Sequence, residues 1–344
     1  MAGGRDGSKG ACARHDPQAG VGSRLIGGAR AMNDPSTQFV AVLIAKPGSK
    51  ALTPDFIDAA ALALGRGQSG GPNERPLQHH CLSPGDAYEI YVSGRDQFHP
   101  PEHARDLRSI SGAPDFDLAV LPAEHRRKKL LVADMESTII QQECLDELAD
   151  YVGMRPKVAA ITECAMRGEL DFKSALQARV GLLKGIDAKS LEEIYTQRVT
   201  LMPGAHTLLA TMKAHGASCA LVSGGFTFFT ERIAARLGFD THQANRLDIS
   251  AGTIAGTVAE PVLGREAKLA ALEHLARTHA LDRALTMAVG DGANDLAMIN
   301  AAGLGVAFRA KPIVAAQASV SIVHGDLTAL LFLQGFARHE FVRR

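Results

Sequence analysis

The sequence predicts an α/β protein: a doubly wound parallel sheet with a helical cap inserted after its first strand, preceded by a small α/β domain. Three observations predict it. Short apolar runs end in a carboxylate or a hydroxyl, as in Leu130-Leu131-Val132-Ala133-Asp134, Leu221-Val222-Ser223 and Met287-Ala288-Val289-Gly290-Asp291. Such runs are typical of strands buried on both faces. From residue 204 to 334 they alternate with helical stretches, which argues for a parallel sheet with helices on both sides. Between 141 and 200 the pattern is helical throughout, so this stretch should cover the carboxyl end of the first strand.

Taken in order, residues 1–36 are rich in Gly, Ala, Arg and Ser and lack hydrophobic periodicity, so a disordered tail is expected. Val21 to Ile26 is too short and polar for a signal-peptide core, and Met32 offers an alternative start. Residues 37–122 read as the small domain. Phe39 to Ala45 is an apolar strand. Thr53-Pro54-Asp55 combines an N-cap with an N1 proline, and the helix runs to about Leu64. Arg66 to Asn73 is a Gly/Ser-rich loop. Ala87 to Val92 alternates as a half-buried strand. A helix near 102–110 and a strand near 117–121 complete the domain, whose order resembles ferredoxin-like (ACT-like) regulatory domains. The basic run His125-Arg126-Arg127-Lys128-Lys129 reads as a solvated linker face.

Residues 123–344 form the larger domain. Cap helices are expected near 141–151, 156–168, 171–183 and 188–199, broken at Gly153, Gly168 and Gly185. Met202-Pro203-Gly204 closes the insertion. Then follow helix 204–215, strand 218–222, helix 227–237, a β-hairpin near 242–258, helix 265–278, strand 285–290, helix 294–302, strand 304–308, helix 312–317, strand 320–323 and helix 326–334.

Lys+Arg and Asp+Glu both number 37, so the chain carries no electrostatic footprint for nucleic acid or an acidic membrane. No run of 18 apolar residues predicts a membrane-spanning helix. The five cysteines, Cys12, Cys81, Cys144, Cys164 and Cys219, have no zinc-type spacing and fit reduced thiols in a cytoplasmic protein.

Four stretches carry the chemistry: Asp134-Met135-Glu136-Ser137-Thr138, then Ser223-Gly224-Gly225, then Lys268 on a helix, then Gly290-Asp291-Gly292-Ala293-Asn294-Asp295. In this order, over roughly residues 129–335, they resemble the haloacid-dehalogenase superfamily of phosphotransferases, and within it the phosphoserine phosphatases. The resemblance implies a Rossmann-like sheet and hydrolysis of O-phospho-L-serine through an aspartyl-phosphate, the last step of serine synthesis. It makes Asp134 the nucleophile. Glu136 becomes the general acid and base, although the family usually has Asp there and Glu is one methylene longer. Ser223, Gly224 and Lys268 would bind phosphate, in keeping with backbone N–H groups and a cation aimed at an anion.

Hard oxygen ligands of this type suit Mg2+. The resemblance assigns the metal to the Asp134 carboxylate, the Glu136 main-chain carbonyl and Asp291, with Asp295 behind them. In the cap it assigns the substrate ammonium to Glu143 and the carboxylate to Arg179. Met166 and Phe172 take apolar lid positions, and Asn294 contacts the substrate. A homodimer through the N-terminal domain would fit the ACT-like pattern. Two alternatives stay open: a phosphatase or phosphotransferase acting on another small phosphomonoester such as phosphohomoserine, and a non-catalytic amino-acid sensor disabled by the change at Glu136.

Overall fold

The computed structural model describes residues 39–65, 77–92, 105–110, 112–166 and 169–342. The expected tail and the Gly/Ser-rich loop lie outside these residues. So does the first part of the helix expected near 102–110, of which a turn at 105–108 is described. No helix of the described residues is long and apolar enough to cross a membrane.

The N-terminal part contains β1 (Phe39–Ala45), α1 (Pro54–Gly65), β2 (His79–Ser83), β3 (Ala87–Val92) and β4 (Phe116–Pro122). Thr53 caps α1 as expected, its Oγ1 accepting from the Phe56 N–H. The strands form an antiparallel sheet in the order β2–β3–β1–β4, with the β-α-β-β-α-β chain order of a ferredoxin-like motif. The sequence reading missed β2, whose His79-His80-Cys81 is too polar to register as a strand. It also took β3 as half-buried, whereas all six residues are buried. The cause is that both faces of the sheet are covered. Ala41, Leu43, Tyr88 and Ile90 pack with α1. Val40, Val42, Ala87 and Tyr91 join the core of the larger domain.

That second contact overturns the solvated-linker reading of the basic run. Arg126 is 5% exposed. Its Nη1 meets Glu89 Oε2 at 2.6 Å, while Nε and Nη2 donate to the carbonyls of Leu333 and Phe332, both at 3.2 Å. Arg127 pairs with Glu340, and the half-buried Lys128 amine donates to two carbonyls. From β4, Asp117 accepts from the backbone N–H groups of Val323, His324 and Gly325. The run is a docking joint between the two sheets.

The larger domain has a six-stranded sheet made of β5 (Leu130–Ala133), β6 (Ser218–Phe226), β7 (Thr241–Asn245), β10 (Thr286–Gly290), β11 (Leu304–Phe308) and β12 (Val320–Ile322). Every pairing is parallel and the order is β12–β11–β10–β5–β6–β7. Counting from β5, this is the 3-2-1-4-5-6 order of a Rossmann sheet, and the order reverses between β5 and β10. Ligands bind outside the carboxyl ends of strands at such a point, where Asp134 and Asp291 follow β5 and β10. Two details differ from expectation. β7 joins the sheet, so the hairpin is confined to β8 (Leu247–Ser250) and β9 (Thr253–Val258). β6 continues past the expected end at 222 through Ser223-Gly224-Gly225 to Phe226, while the following helix opens at Thr227 as expected.

Four cap helices follow β5: α2 (Cys144–Tyr151), α3 (Arg155–Met166), α4 (Phe172–Gly181) and α5 (Lys189–Gln197). The cap's two stems pair, with Gln141 N–H donating to Thr200 O and Met202 N–H to Ile139 O. The hairpin also bonds to it, through Gly185 and Ala188. The remaining helices, α6 (Ala205–Ala214), α7 (Thr227–Leu237), α8 (Arg265–Thr278), α9 (Leu296–Ala301), α10 (Pro312–Ala315) and α11 (Ala329–Leu333), match the sequence reading to within a few residues.

The joint makes stability pH-dependent. Burial alone would raise the Glu89 carboxyl, but the His80 hydrogen bond and the Arg126 charge outweigh it and hold the group at about 2. Its unfolded value is near 4.5, so this stabilisation is present above that pH and is lost as pH falls from about 4.5 towards 2. Glu89→Gln leaves Arg126 buried without its counter-charge, which should cost on the order of 3 kcal/mol at neutral pH. Urea unfolding of both proteins should show that gap narrowing below pH 4.5; a gap independent of pH would contradict the assignment.

Candidate active site

The site begins with β5. Its ladder extends one residue beyond the strand, with Asp134 N–H donating to Val289 O at 3.0 Å. The carboxyl of Asp134 therefore stands at the carboxyl edge of the sheet. The chain then turns tightly: the N–H groups of Ile139 and Ile140 both bond Met135 O, and Ser137 adopts a left-handed φ of 55°. For a non-glycine residue that conformation marks a constrained turn. Ser137 Oγ donates to Glu143 Oε1 at 2.7 Å, which fastens the loop to the first cap helix.

Lys268 arrives from α8. Leu272, one turn later on the same helix face, is buried among Val132, Ala220 and Val222. The same packing turns Lys268 toward the strand ends. Its side chain is 2% exposed, and its ammonium meets Asp134 Oδ1 at 2.6 Å and Asp295 Oδ1 at 2.5 Å. Asp295 is fully buried, and its other oxygen accepts from Gly292 N–H at 3.0 Å. One oxygen each from Asp134, Asp291 and Asp295 lies within 4.8 Å of the others.

The electrostatics follow. Burial, and then repulsion from Asp295, push the Asp134 carboxyl well up, against the pull of Lys268. Burial and the same neighbour raise Asp291 to about 6. Lys268 is buried, which would lower it, but the two carboxylates overcompensate and raise it. Glu136 keeps some contact with solvent. Enough protein surrounds it that burial, then repulsion from Glu143, raises it to about 7, against the Cys144 N–H that donates to Oε1 at 2.7 Å.

Asp134, Glu136, Glu143, Phe172, Arg179, Gly224, Asp291 and Asn294 line one cleft of about 540 Å3 between cap and sheet. Ser223, Lys268 and Asp295 do not line it; they are buried and bonded to residues that do. The side chain of Met166 lies outside the described residues. Glu143 and Arg179, which a sequence can equally place on a solvated helix face, both face the cleft. An outer cavity of about 750 Å3 shares Thr162, Phe172, Arg179 and Asn294 with it.

Sequence reasoning missed Lys311, which lines the cleft, and Asn245, whose amide joins the Gly224 loop to Leu263. Neither sits in a motif, and an Asn between strands reads as a turn residue.

The donor set fits a hard divalent cation. Asp134 and Asp291 are near neighbours with raised carboxyls, and Asp295 has both oxygens committed to Lys268 and Gly292. Asp295 is thus better suited to orient the cluster than to ligate. A cation held only in the folded state stabilises it. A divalent cation at roughly 100-fold over its Kd should raise Tm by about 5–10 °C, and Asp291→Asn should remove most of that rise. A thermal scan showing an equal rise in both proteins would place the cation elsewhere.

A profile of the haloacid dehalogenase-like hydrolases matches residues 131–300. The phosphoserine phosphatase of Streptomyces coelicolor is 40% identical over 285 residues, which is 82% of this chain and 68% of that protein. The phosphoserine phosphatase of Haemophilus influenzae is 46% identical over 204 residues, 59% of this chain and 65% of its own. The chain thus spans about two thirds of each relative. Among solved structures, a probable phosphoserine phosphatase from Vibrio cholerae superposes with a TM-score of 0.68 at 30% identity, covering 90% of this chain and 89% of that one.

Proposed function

This chain belongs to the phosphoserine phosphatases of the haloacid dehalogenase-like hydrolase family, and on that footing we propose that it hydrolyses O-phospho-L-serine to L-serine and phosphate, with Mg2+ as its cation. The observation that carries this reading is that three of the four sequence stretches line one cleft, with Lys268 of the fourth bonded to Asp134 at its base and Glu143 and Arg179 on its cap side.

In this mechanism an Asp134 carboxylate oxygen attacks phosphorus in line with the ester oxygen. The P–O bond to serine breaks, and the leaving oxygen takes the proton of Glu136. A water then attacks the phosphorus of the aspartyl-phosphate, giving its proton to Glu136, and releases phosphate and free Asp134. Lys268, the Ser223 hydroxyl and the loop N–H groups offset phosphoryl charge throughout. Asp134, the Glu136 carbonyl and Asp291 would hold Mg2+, which supplies further positive charge to the phosphoryl oxygens when bound. Glu143 takes the ammonium and Arg179 the carboxylate, whose planar form suits a guanidinium fork. Phe172 closes the apolar side. The reaction suits a cytoplasmic protein, and a second copy would pair through the N-terminal sheet, in which β2 is an edge strand among the described residues.

Asp134→Asn keeps the shape and removes the attacking charge. Phosphate release from phosphoserine should fall by at least a thousandfold while the circular dichroism spectrum is unchanged; activity within tenfold of wild type would remove Asp134 from this role. Fluoroberyllate should add to Asp134 in the wild type and not in this variant.

Arg179→Ala deletes a charge-assisted contact worth roughly 1.5–3 kcal/mol, so kcat/KM for phosphoserine should fall on the order of tenfold to a hundredfold. p-Nitrophenyl phosphate, which lacks the amino-acid carboxylate, should be nearly unaffected. Arg179→Lys should recover only part of the loss. Equal losses on both substrates would reduce the assignment to an unspecified phosphomonoester. The same assay decides the sensor alternative, since Mg2+-dependent turnover is incompatible with it.

A further inference from the structure

We propose that Asn245 is a positioning residue that holds the Ser223-Gly224-Gly225 loop in register with the segment leading into the Lys268 helix. The proposal rests on the reading of that loop and Lys268 as the phosphoryl-binding groups. Asn245 ends edge strand β7 and is 2% exposed. Its Nδ2 donates to Gly224 O at 2.8 Å and to Leu263 O at 3.2 Å, and its Oδ1 accepts from Leu263 N–H at 2.7 Å. Both donors and the acceptor are therefore engaged. Leu263 is gripped through its N–H and its carbonyl together, as a neighbouring strand would grip it.

Three consequences follow from this one amide. The Gly224 carbonyl and the Gly225 N–H belong to one peptide plane. Fixing the carbonyl fixes the N–H, which donates to Ser223 Oγ at 2.9 Å. That bond occupies the acceptor side of the hydroxyl and leaves its proton free to donate. Next, Leu263 precedes Gly264, and Gly224 and Gly264 are both seats for the cap residue Phe172. A Cβ at Gly224 would lie 3.3 Å from the ring, and one at Gly264 3.5 Å from it. Finally, α8 opens at Arg265, and Lys268 lies in its first turn. The amide thus ties together the phosphate loop, the lid seat and the start of the lysine helix. A clip that only secured an edge strand would have no reason to join these two loops.

The full-length protein tests this with orthovanadate, an oxyanion that needs only the phosphoryl-binding groups. Asn245→Ala removes all three bonds. Asn245→Asp keeps the volume and the Oδ1 acceptor but removes both donors. Orthovanadate binding, read by calorimetry in Mg2+ at a temperature where circular dichroism finds the variant folded, should weaken at least tenfold in each folded variant. Turnover of phosphoserine and of p-nitrophenyl phosphate should fall by the same factor, unlike the one-sided loss in Arg179→Ala. Orthovanadate affinity within threefold of wild type in a folded variant overturns the proposal. Failure of both variants to fold also overturns it, since Asn245 would then hold the fold and not the loop. If the wild type binds orthovanadate but does not turn over phosphoserine, the substrate assignment falls while the affinities still decide the role of Asn245.

Discussion

The interaction on which the rest of the structure depends is the buried ammonium of Lys268 between Asp134 and Asp295. An ion of either sign costs several kcal/mol to take out of water, and leaving one unpaired in the interior is strongly destabilising. Here each half makes the other tolerable. Two carboxylates crowded at the strand ends repel, and the lysine lies against both at 2.5–2.6 Å. The sheet order explains why the acids are crowded at all. Reversal of the strand order between the parallel neighbours β5 and β10 brings the residues after both strands to one crevice. One lysine serves two of three acids, which leaves Asp291 and the second oxygen of Asp134 in need of positive charge. A divalent cation would meet that need, in keeping with the cation proposed for this site.

The N-terminal sheet meets a similar demand far from the cleft. Its buried Glu89 and the buried Arg126 pair across the joint, and the remaining guanidinium donors go to carbonyls at the end of α11. Asp117 accepts N–H groups that follow β12, and Arg338 reaches Asp86. These contacts surround shared apolar packing of Val40, Val42 and Tyr91 with Leu330 to Leu333. The domain is docked through its core, so its sheet supports the strand edge and the last helix of the larger domain.

What was legible in the sequence follows from which groups act through local pattern. Asp134, Ser223 and Asp291 each end an apolar run, so strand periodicity alone puts them at the same edge. Lys268 has no local signature and gained meaning only from its place among the other stretches. Arg126 looked like any basic linker residue, because its partner Glu89 lies 37 positions away and its carbonyl acceptors more than 200. Strand β2 was hidden for a related reason: its polar residues are stabilised by ladder bonds to β3, which composition does not encode. Asn245 shows the limit best. Its bonds are to backbone atoms of Gly224 and Leu263, and any sequence offers a backbone, so nothing in the residue pattern distinguishes it from a turn asparagine.

The longer side chain at position 136 is accommodated by its surroundings. A Glu there must fold back to present its carboxyl where a shorter acid would. Two features receive it. Gly225 has no side chain, and a Cβ at that position would sit 2.8 Å from Glu136 Oε2. Cys144, the first residue of α2, offers its free N–H to Oε1 at the positive end of a helix. The carboxyl is therefore held between the Ser223-Gly224-Gly225 loop of the sheet on one side and the cap on the other. Its affinity for a proton is set by opposing neighbours: burial and Glu143 raise it, while the Cys144 N–H lowers it. Both Cys144 and Glu143 belong to the segment that enters the cap. A cap displaced from the sheet would withdraw the hydrogen bond and the repelling charge together, so the proton affinity of Glu136, the group proposed as acid and base, depends on the seated cap. The extra methylene is thus matched by a missing Cβ and a helix end, and the Glu136 carboxyl is itself part of the contact between sheet and cap.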